Sequence, residues 1–121
     1  MKATIWHNPK CSKSRQTLEL LEQNGIDAEV VKYLETTPGK EEIKEVLAKL
    51  KIPARELMRT KEELYKELNL KDESDEEKLI EAMEQNPRLI ERPVVITSKG
   101  AVIGRPPEKV IEFIESTPVS L

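Results

Sequence analysis

The chain has 121 residues, 36% of them charged and 37% hydrophobic, with a net charge of −3; it is sized for one domain with an aliphatic core and a well-solvated surface. That balance argues against a generic nucleic-acid or membrane-surface binder, and no stretch approaches the roughly 20 apolar residues of a membrane span. The opening "MKATIWHNPK" lacks the apolar centre of a signal peptide, and one cysteine excludes an internal disulfide, so a cytoplasmic protein in a reducing compartment is expected.

In chain order, the apolar run Ala3–Trp6 reads as a strand that ends at His7 and Pro9. "SKSRQTLELLEQNG" follows, its leucines at 18, 20 and 21 and a stop at Gly25 predicting a helix from about Ser12 to Asn24. "AEVVKYL" predicts a second strand, which completes a βαβ unit with a right-handed crossover. Thr37 is placed to cap the next helix, with Pro38 in its first turn; Ile43, Val46, Leu47 and Leu50 fall on one face. "PARELM" and "KEELYKEL" predict short helices parted near Arg59 and Thr60. Ser74, three residues before Glu77, forms the pattern of a capping box for a helix that stops at Asn86, ahead of Pro87. Residues 38–86 thus read as a helical block. Val94–Thr97 and Ala101–Ile103, joined by "SKG", predict a hairpin. "PPEKVIEFIES" then closes the chain as a helix with Val110, Ile111 and Ile114 on its apolar stripe, followed by a frayed tail at "TPVSL".

The stretch "WHNPKCSKSR" holds the chain's one cysteine, one histidine and one tryptophan. Cys11 falls one residue before the predicted helix. There its sulfur faces unpaired N–H groups and the positive end of the helix dipole, with Lys10, Lys13, Arg15 and His7 close in sequence. These features favour a thiolate, hence a nucleophile, and the same N–H groups suit an oxyanion. A small buried cysteine that merely packs is the competing reading. His7 can be a strand-end histidine bonded to a carbonyl, or a group that holds the loop or interacts with the thiolate. Ser12 and Ser14 read as hydroxyls that donate to the thiolate or anion. One cysteine and one histidine do not make a metal site, and no metal is expected.

"HNPKCSKSR" after a first strand resembles the H-N-P-x-C loop of the glutaredoxin-dependent arsenate reductase family, which has a thioredoxin-like fold. "YLETTP", "ELMR" ending at Arg59, "RLIERPVV" with Arg92 and "IGRPPE" with Arg105 match the same family in order, over residues 3–114. The resemblance implies an α/β, thioredoxin-like single domain over residues 1–121, with a four-stranded mixed sheet and the helical block inserted at about 38–86. It implies that Cys11 is the nucleophile, that Arg59, Arg92 and Arg105 surround the oxyanion, and that His7 stabilises the site and the thiolate. Asn8, Ser12, Ser14 and Pro93 support the loop, with Pro93 at a position where the bond is usually cis. Arg15, Arg55 and Arg88 remain solvated surface residues.

The implied reaction is arsenate to arsenite: Cys11 attacks arsenic, glutathione attacks the adduct, and glutaredoxin resolves the cysteine–glutathione disulfide. No bound cofactor is implied, with glutathione as co-substrate, and the chain is expected to be a monomer without nucleic-acid or membrane partners. A lone cysteine requires an outside thiol, which fits glutathione and fits poorly with thioredoxin-coupled reductases. Two alternatives stay open. One is a related glutathione-linked thiol enzyme with another substrate. The other is a thiol-stress regulator that binds RNA polymerase, although "CSKS" puts Ser14 where such regulators carry the second cysteine of C-x-x-C.

Overall fold

The computed structural model describes residues 2–98 and 100–116. The order is β1 (Lys2–Trp6), α1 (Ser12–Gln23), β2 (Asp27–Val31), α2 (Lys40–Leu50), α3 (Ala54–Leu57), α4 (Glu63–Glu67), α5 (Glu76–Gln85), β3 (Val94–Thr97), β4 (Gly100–Ile103) and α6 (Glu108–Ser116). Single 3-10 turns cover Leu70–Asp72 and Pro87–Leu89. By contacts the chain forms two units, residues 34–91 and the remainder. The expected tail at residues 117–121, and Lys99 in the hairpin turn, lie outside the described residues.

The first unit is a four-stranded mixed sheet in the order β2-β1-β3-β4, a thioredoxin-like arrangement. β1 runs parallel to β2 and antiparallel to β3, and β3 and β4 form the hairpin read from "SKG". Its core joins Ala3, Ile5, Leu21, Ile26, Val95 and Val110, with Leu18, Ala28, Val102 and Ile114 packed at the margin. Burying each large aliphatic chain contributes about 1.5–3 kcal/mol. Residues 3 and 5 share one face of β1, so the strand period itself delivers them to that core.

Gly25 ends α1 as the sequence predicts. Its φ is +70°, its N–H donates to Glu22 O at 3.1 Å, and Ile26 N–H donates to Leu21 O at 3.0 Å. Leu21 and Ile26 then meet in the core, completing a Schellman closure. β2 stops at Val31, earlier than "AEVVKYL" suggested. It sits at the sheet edge, and its ladder partner β1 runs out at Trp6; a last bond from His7 N–H to Val31 O closes the pairing.

The second unit is helical. α2 buries Ile43, Val46 and Leu47, and α5 buries Leu79, Ile80, Ala82 and Met83. Two helix starts differ from the sequence reading. α2 is capped at Gly39, not Thr37, because the Glu84 carboxylate accepts the Lys40 N–H at 2.9 Å. α5 is capped by Asp75, not Ser74: its carboxylate accepts the Glu77 N–H at 3.0 Å, and a full charge suits the helix's positive end better than a hydroxyl. Arg55 donates to Tyr65 Oη and to the carbonyls of Leu70 and Glu73, so it holds this unit together and is not the solvated residue expected. Among the described residues no helix is long and apolar enough to cross a membrane.

Candidate active site at the start of helix α1

Five residues link β1 to α1, and their polar groups are paired locally. Cys11 N–H donates to Asn8 O at 3.0 Å, closing a tight turn over Pro9 and Lys10. Asn8 Oδ1 accepts the Lys10 N–H at 3.0 Å, and the Arg15 guanidinium donates to Pro9 O at 2.9 Å. Arg15 therefore braces the loop through its carbonyl.

Cys11 is the N-cap of α1, with extended backbone angles of φ −96° and ψ 123°. Its side chain makes no ordinary capping hydrogen bond, and 9% of the residue is exposed. Burial pushes its thiol pKa up. The backbone N–H of Ser14, the hydrogen bond and charge of the Arg92 guanidinium, and the Lys13 N–H outweigh burial and bring it below its ordinary value. The thiolate is favoured for the reason the sequence suggested, the helix start, but the charge comes from Arg92, far along the chain.

Arg92 and Arg105 are brought to the thiol by the hairpin. Gly104 N–H donates to Pro93 O at 2.9 Å, extending the ladder beyond Val94 and Ile103. Arg105 Nε donates to Arg92 O at 2.7 Å, and Arg105 Nη2 stands 3.8 Å from Cys11 Sγ. The Arg92–Pro93 bond is cis, and so is Arg105–Pro106. Two guanidiniums beside one thiolate leave net positive charge and forked donors, which suits a tetrahedral oxyanion brought to the sulfur.

His7 and Ser14 are both buried. His7 Nδ1 lies 2.7 Å from Ser14 Oγ, and the Asn8 N–H donates to the same oxygen at 3.0 Å. The Ser14 hydroxyl is thus committed to the loop, and it is the residue's backbone N–H that serves the thiolate. Ser12 is exposed at the helix start. Burial, then the charges of Lys32 and Arg15, lower the His7 pKa. Lys32 escaped the sequence reading, yet register could have found it: Trp6 pairs with Val31, so the next residues along are His7 and Lys32.

Arg59 belongs to the helical unit. Its N–H donates to Leu89 O at 2.7 Å, and Nη1 contacts Glu62 Oε2 at 3.3 Å. The other Glu62 oxygen is held by Arg88 at 2.8 Å, so Arg88 takes part in an ion-paired chain. Among the described residues no group of three or more His, Cys, Asp or Glu side chains gathers into a metal site.

This sheet order, with a thiol at the start of the first helix against the Arg92–Pro93 loop, defines a thioredoxin-like thiol protein. The pattern of the ArsC family matches residues 6–113, and the chain belongs to that family. It is 56% identical to the Escherichia coli K12 uncharacterized protein YfgD, over 91% of this chain and 94% of that one. It is 49% identical to an arsenate reductase of Neisseria meningitidis (88% of this chain, 92% of that one). The arsenate reductase structure from Vibrio cholerae superposes with a TM-score of 0.90 at 54% identity, covering 93% of this chain and 97% of that one.

Proposed function

We propose that the protein reduces arsenate to arsenite, with Cys11 as nucleophile, glutathione as reductant and a glutaredoxin to restore the thiol. The observation that carries this reading is the Cys11 sulfur flanked by Arg92 and Arg105 at the N-terminus of α1. Relatives named arsenate reductase, at 49% and 46% identity, support the substrate.

The Cys11 thiolate attacks arsenic(V), forms an S–As bond and expels one oxygen as water. Arg92 and Arg105 hold the remaining oxygens and neutralise charge as the bond forms. A glutathione thiolate then attacks the Cys11 sulfur. The S–As electron pair passes to arsenic, which leaves as arsenite(III), and a Cys11–glutathione disulfide remains. A glutaredoxin thiol takes the glutathionyl group and frees Cys11. No second cysteine exists in the chain to do this, so the reductant comes from outside. A reducing, cytoplasmic setting and a monomer without a bound cofactor fit this cycle. On the resemblance alone, Arg59 is assigned as a third anion ligand.

A second reading is a glutathione-linked enzyme of the same chemistry on another substrate. It is favoured by YfgD, a relative at 56% identity whose name states no activity, and by the anion site itself, since two guanidiniums do not separate arsenate from phosphate. The RNA-polymerase-binding regulator gains no such support, because Ser14 cannot form a disulfide and its hydroxyl serves His7.

The test is NADPH consumption with arsenate, glutathione, glutaredoxin and glutathione reductase, comparing wild type with Cys11→Ser. Arsenate-dependent turnover that disappears in the variant is expected. Absence of turnover with folded, reduced wild type sinks the arsenate reading.

A further inference from the structure

We propose that Arg88 is a charge-balancing residue for the anion site: it occupies the Glu62 carboxylate, so that Glu62 aligns Arg59 without cancelling the positive charge that Arg59 offers an oxyanion. This deepens the function proposed above and rests on it in taking Arg59 as an anion ligand.

Arg59 is held first by its backbone. Its N–H donates to Leu89 O at 2.7 Å, Glu91 N–H donates to Leu57 O at 2.7 Å, and Met58 bridges antiparallel to Ile90 between them. Residues 57–59 are thus fastened to 89–91, and the residue after Glu91 is Arg92, whose carbonyl accepts from Arg105. This pairing sets where the Arg59 side chain begins, and Glu62 sets where it turns.

The Glu62 carboxylate faces two guanidiniums. Its Oε2 lies 3.3 Å from Arg59 Nη1, while its Oε1 accepts from Arg88 Nη2 at 2.8 Å and from Arg88 Nε at 3.2 Å. Arg88 has the shorter, forked grip. Arg59 gives one nitrogen to a longer contact, and its Nε and Nη2 take no part in it. Two cations on one carboxylate leave one net positive charge. The Glu62 side chain is 17% exposed and that of Arg59 29%, so water screens their attraction only in part. Loss of Arg88 would turn the whole carboxylate charge onto Arg59. Arg88 itself is well exposed, and a pair of that kind contributes little to stability. Its part is to divide the charge of Glu62.

The readout is the inorganic phosphate concentration that halves the rate of Cys11 alkylation by iodoacetamide. It is measured for wild type, Arg59→Met, Arg88→Met, Arg88→Lys, Glu62→Gln and the double variant Glu62→Gln/Arg88→Met. Glu62 makes no side-chain cap bond at the start of α4, so glutamine there removes no cap. Arg88→Met should raise that concentration roughly fivefold, the effect of one charge pair near the surface, with the phosphate-free alkylation rate unchanged. Arg88→Lys should keep wild-type protection, because it keeps a cation on Glu62. The double variant should return to the Glu62→Gln value, itself no weaker than wild type, because the carboxylate that Arg88 balances is gone.

A double variant as weak as Arg88→Met overturns the proposal. So does a Glu62→Gln loss as large as that of Arg88→Met, or an Arg88→Lys loss equal to it; this last comparison decides if the Glu62 variants fail to fold. Unchanged protection in Arg59→Met removes Arg59 from the anion site, and this proposal with it, while Cys11, Arg92 and Arg105 are still judged by the turnover assay. Weaker protection in Arg59→Met without rescue in the double variant sinks the balancing role alone.

Discussion

Arg105 reaches two targets with one guanidinium: its Nε donates to the Arg92 backbone carbonyl at 2.7 Å while its Nη2 stands 3.8 Å from Cys11 Sγ. The first contact fixes the plane of the fork, and the second places its charge at the sulfur. The two arginines are therefore one device, built by a hairpin and pointed at the N-terminus of α1.

Lysine cannot copy that arrangement, since it carries a single nitrogen at its tip. Arg105→Lys should keep the charge and lose the simultaneous contacts. Losing a charge-assisted hydrogen bond costs about 1.5–3 kcal/mol, or roughly ten- to hundredfold in anion affinity. The measurement is the protection of Cys11 from alkylation by arsenate and by phosphate. Protection constants equal to those of wild type would show that Arg105 serves the anion as a simple point charge.

The two titrating groups of the loop give stability of opposite kinds. The Cys11 pKa is depressed in the folded protein, so its thiolate contributes stability above the unfolded pKa, about 8.5, and that contribution fades as pH falls through the folded value. The difference in Tm between wild type and Cys11→Ala should move in favour of wild type from pH 6 to pH 9. His7 is also depressed, but it is charged when protonated. Unfolded chains bind its proton below about pH 6.5 and folded ones do not, so wild type loses stability as pH falls through that window. His7→Asn should remove that part of the pH slope, read from thermal melts between pH 5 and 7.

Arg55 carries a different kind of prediction, because its work is structural. It joins Tyr65, the Leu70 carbonyl and the Glu73 carbonyl within the helical unit. Arg55→Met keeps the stem and strands those acceptors, at a cost of about 2–3 kcal/mol. Urea unfolding should show a lower midpoint with an unchanged slope. A loss of unfolding free energy of only a few tenths of a kcal/mol would return Arg55 to the surface role that its charge suggested.

What could be read in the sequence was local. Gly25 announced the end of α1, and the strand-to-helix junction announced a cysteine at a helix start. The caps of α2 and α5 slipped, to Gly39 and Asp75, because a carboxylate in another helix or one residue along competed with the expected hydroxyl. The Ser14 hydroxyl was assigned to the thiolate, yet it faces His7 across a buried contact that no spacing rule encodes. The arginines were invisible to periodicity and came from the family resemblance. The structure adds how Arg92 and Arg105 are joined, through a carbonyl that every residue type carries.

The same junction predicts that Gly104 must stay without a side chain. A Cβ built there would lie 2.8 Å from Thr17 Oγ1 and 2.9 Å from Pro93 Cγ, distances that real contacts do not reach. Gly104 adjoins Arg105, Pro93 adjoins Arg92, and Thr17 lies on α1, the helix that Cys11 caps. Gly104→Ala should therefore do two things: destabilise by about 1–3 kcal/mol through overpacking, and slow Cys11 alkylation at neutral pH as Arg92 is pushed from the sulfur. Pro93 Cγ can yield by a change of ring pucker, which leaves Thr17 as the harder obstacle. Adding Thr17→Ala removes both of its contacting atoms and should restore much of the alkylation rate. Thr17→Val puts a methyl where the hydroxyl was and should restore none. Paired melts and alkylation rates for the three variants decide it: recovery with valine as well as alanine would place the defect in the Thr17 hydrogen bond to Lys13 O and not in the space beside Gly104.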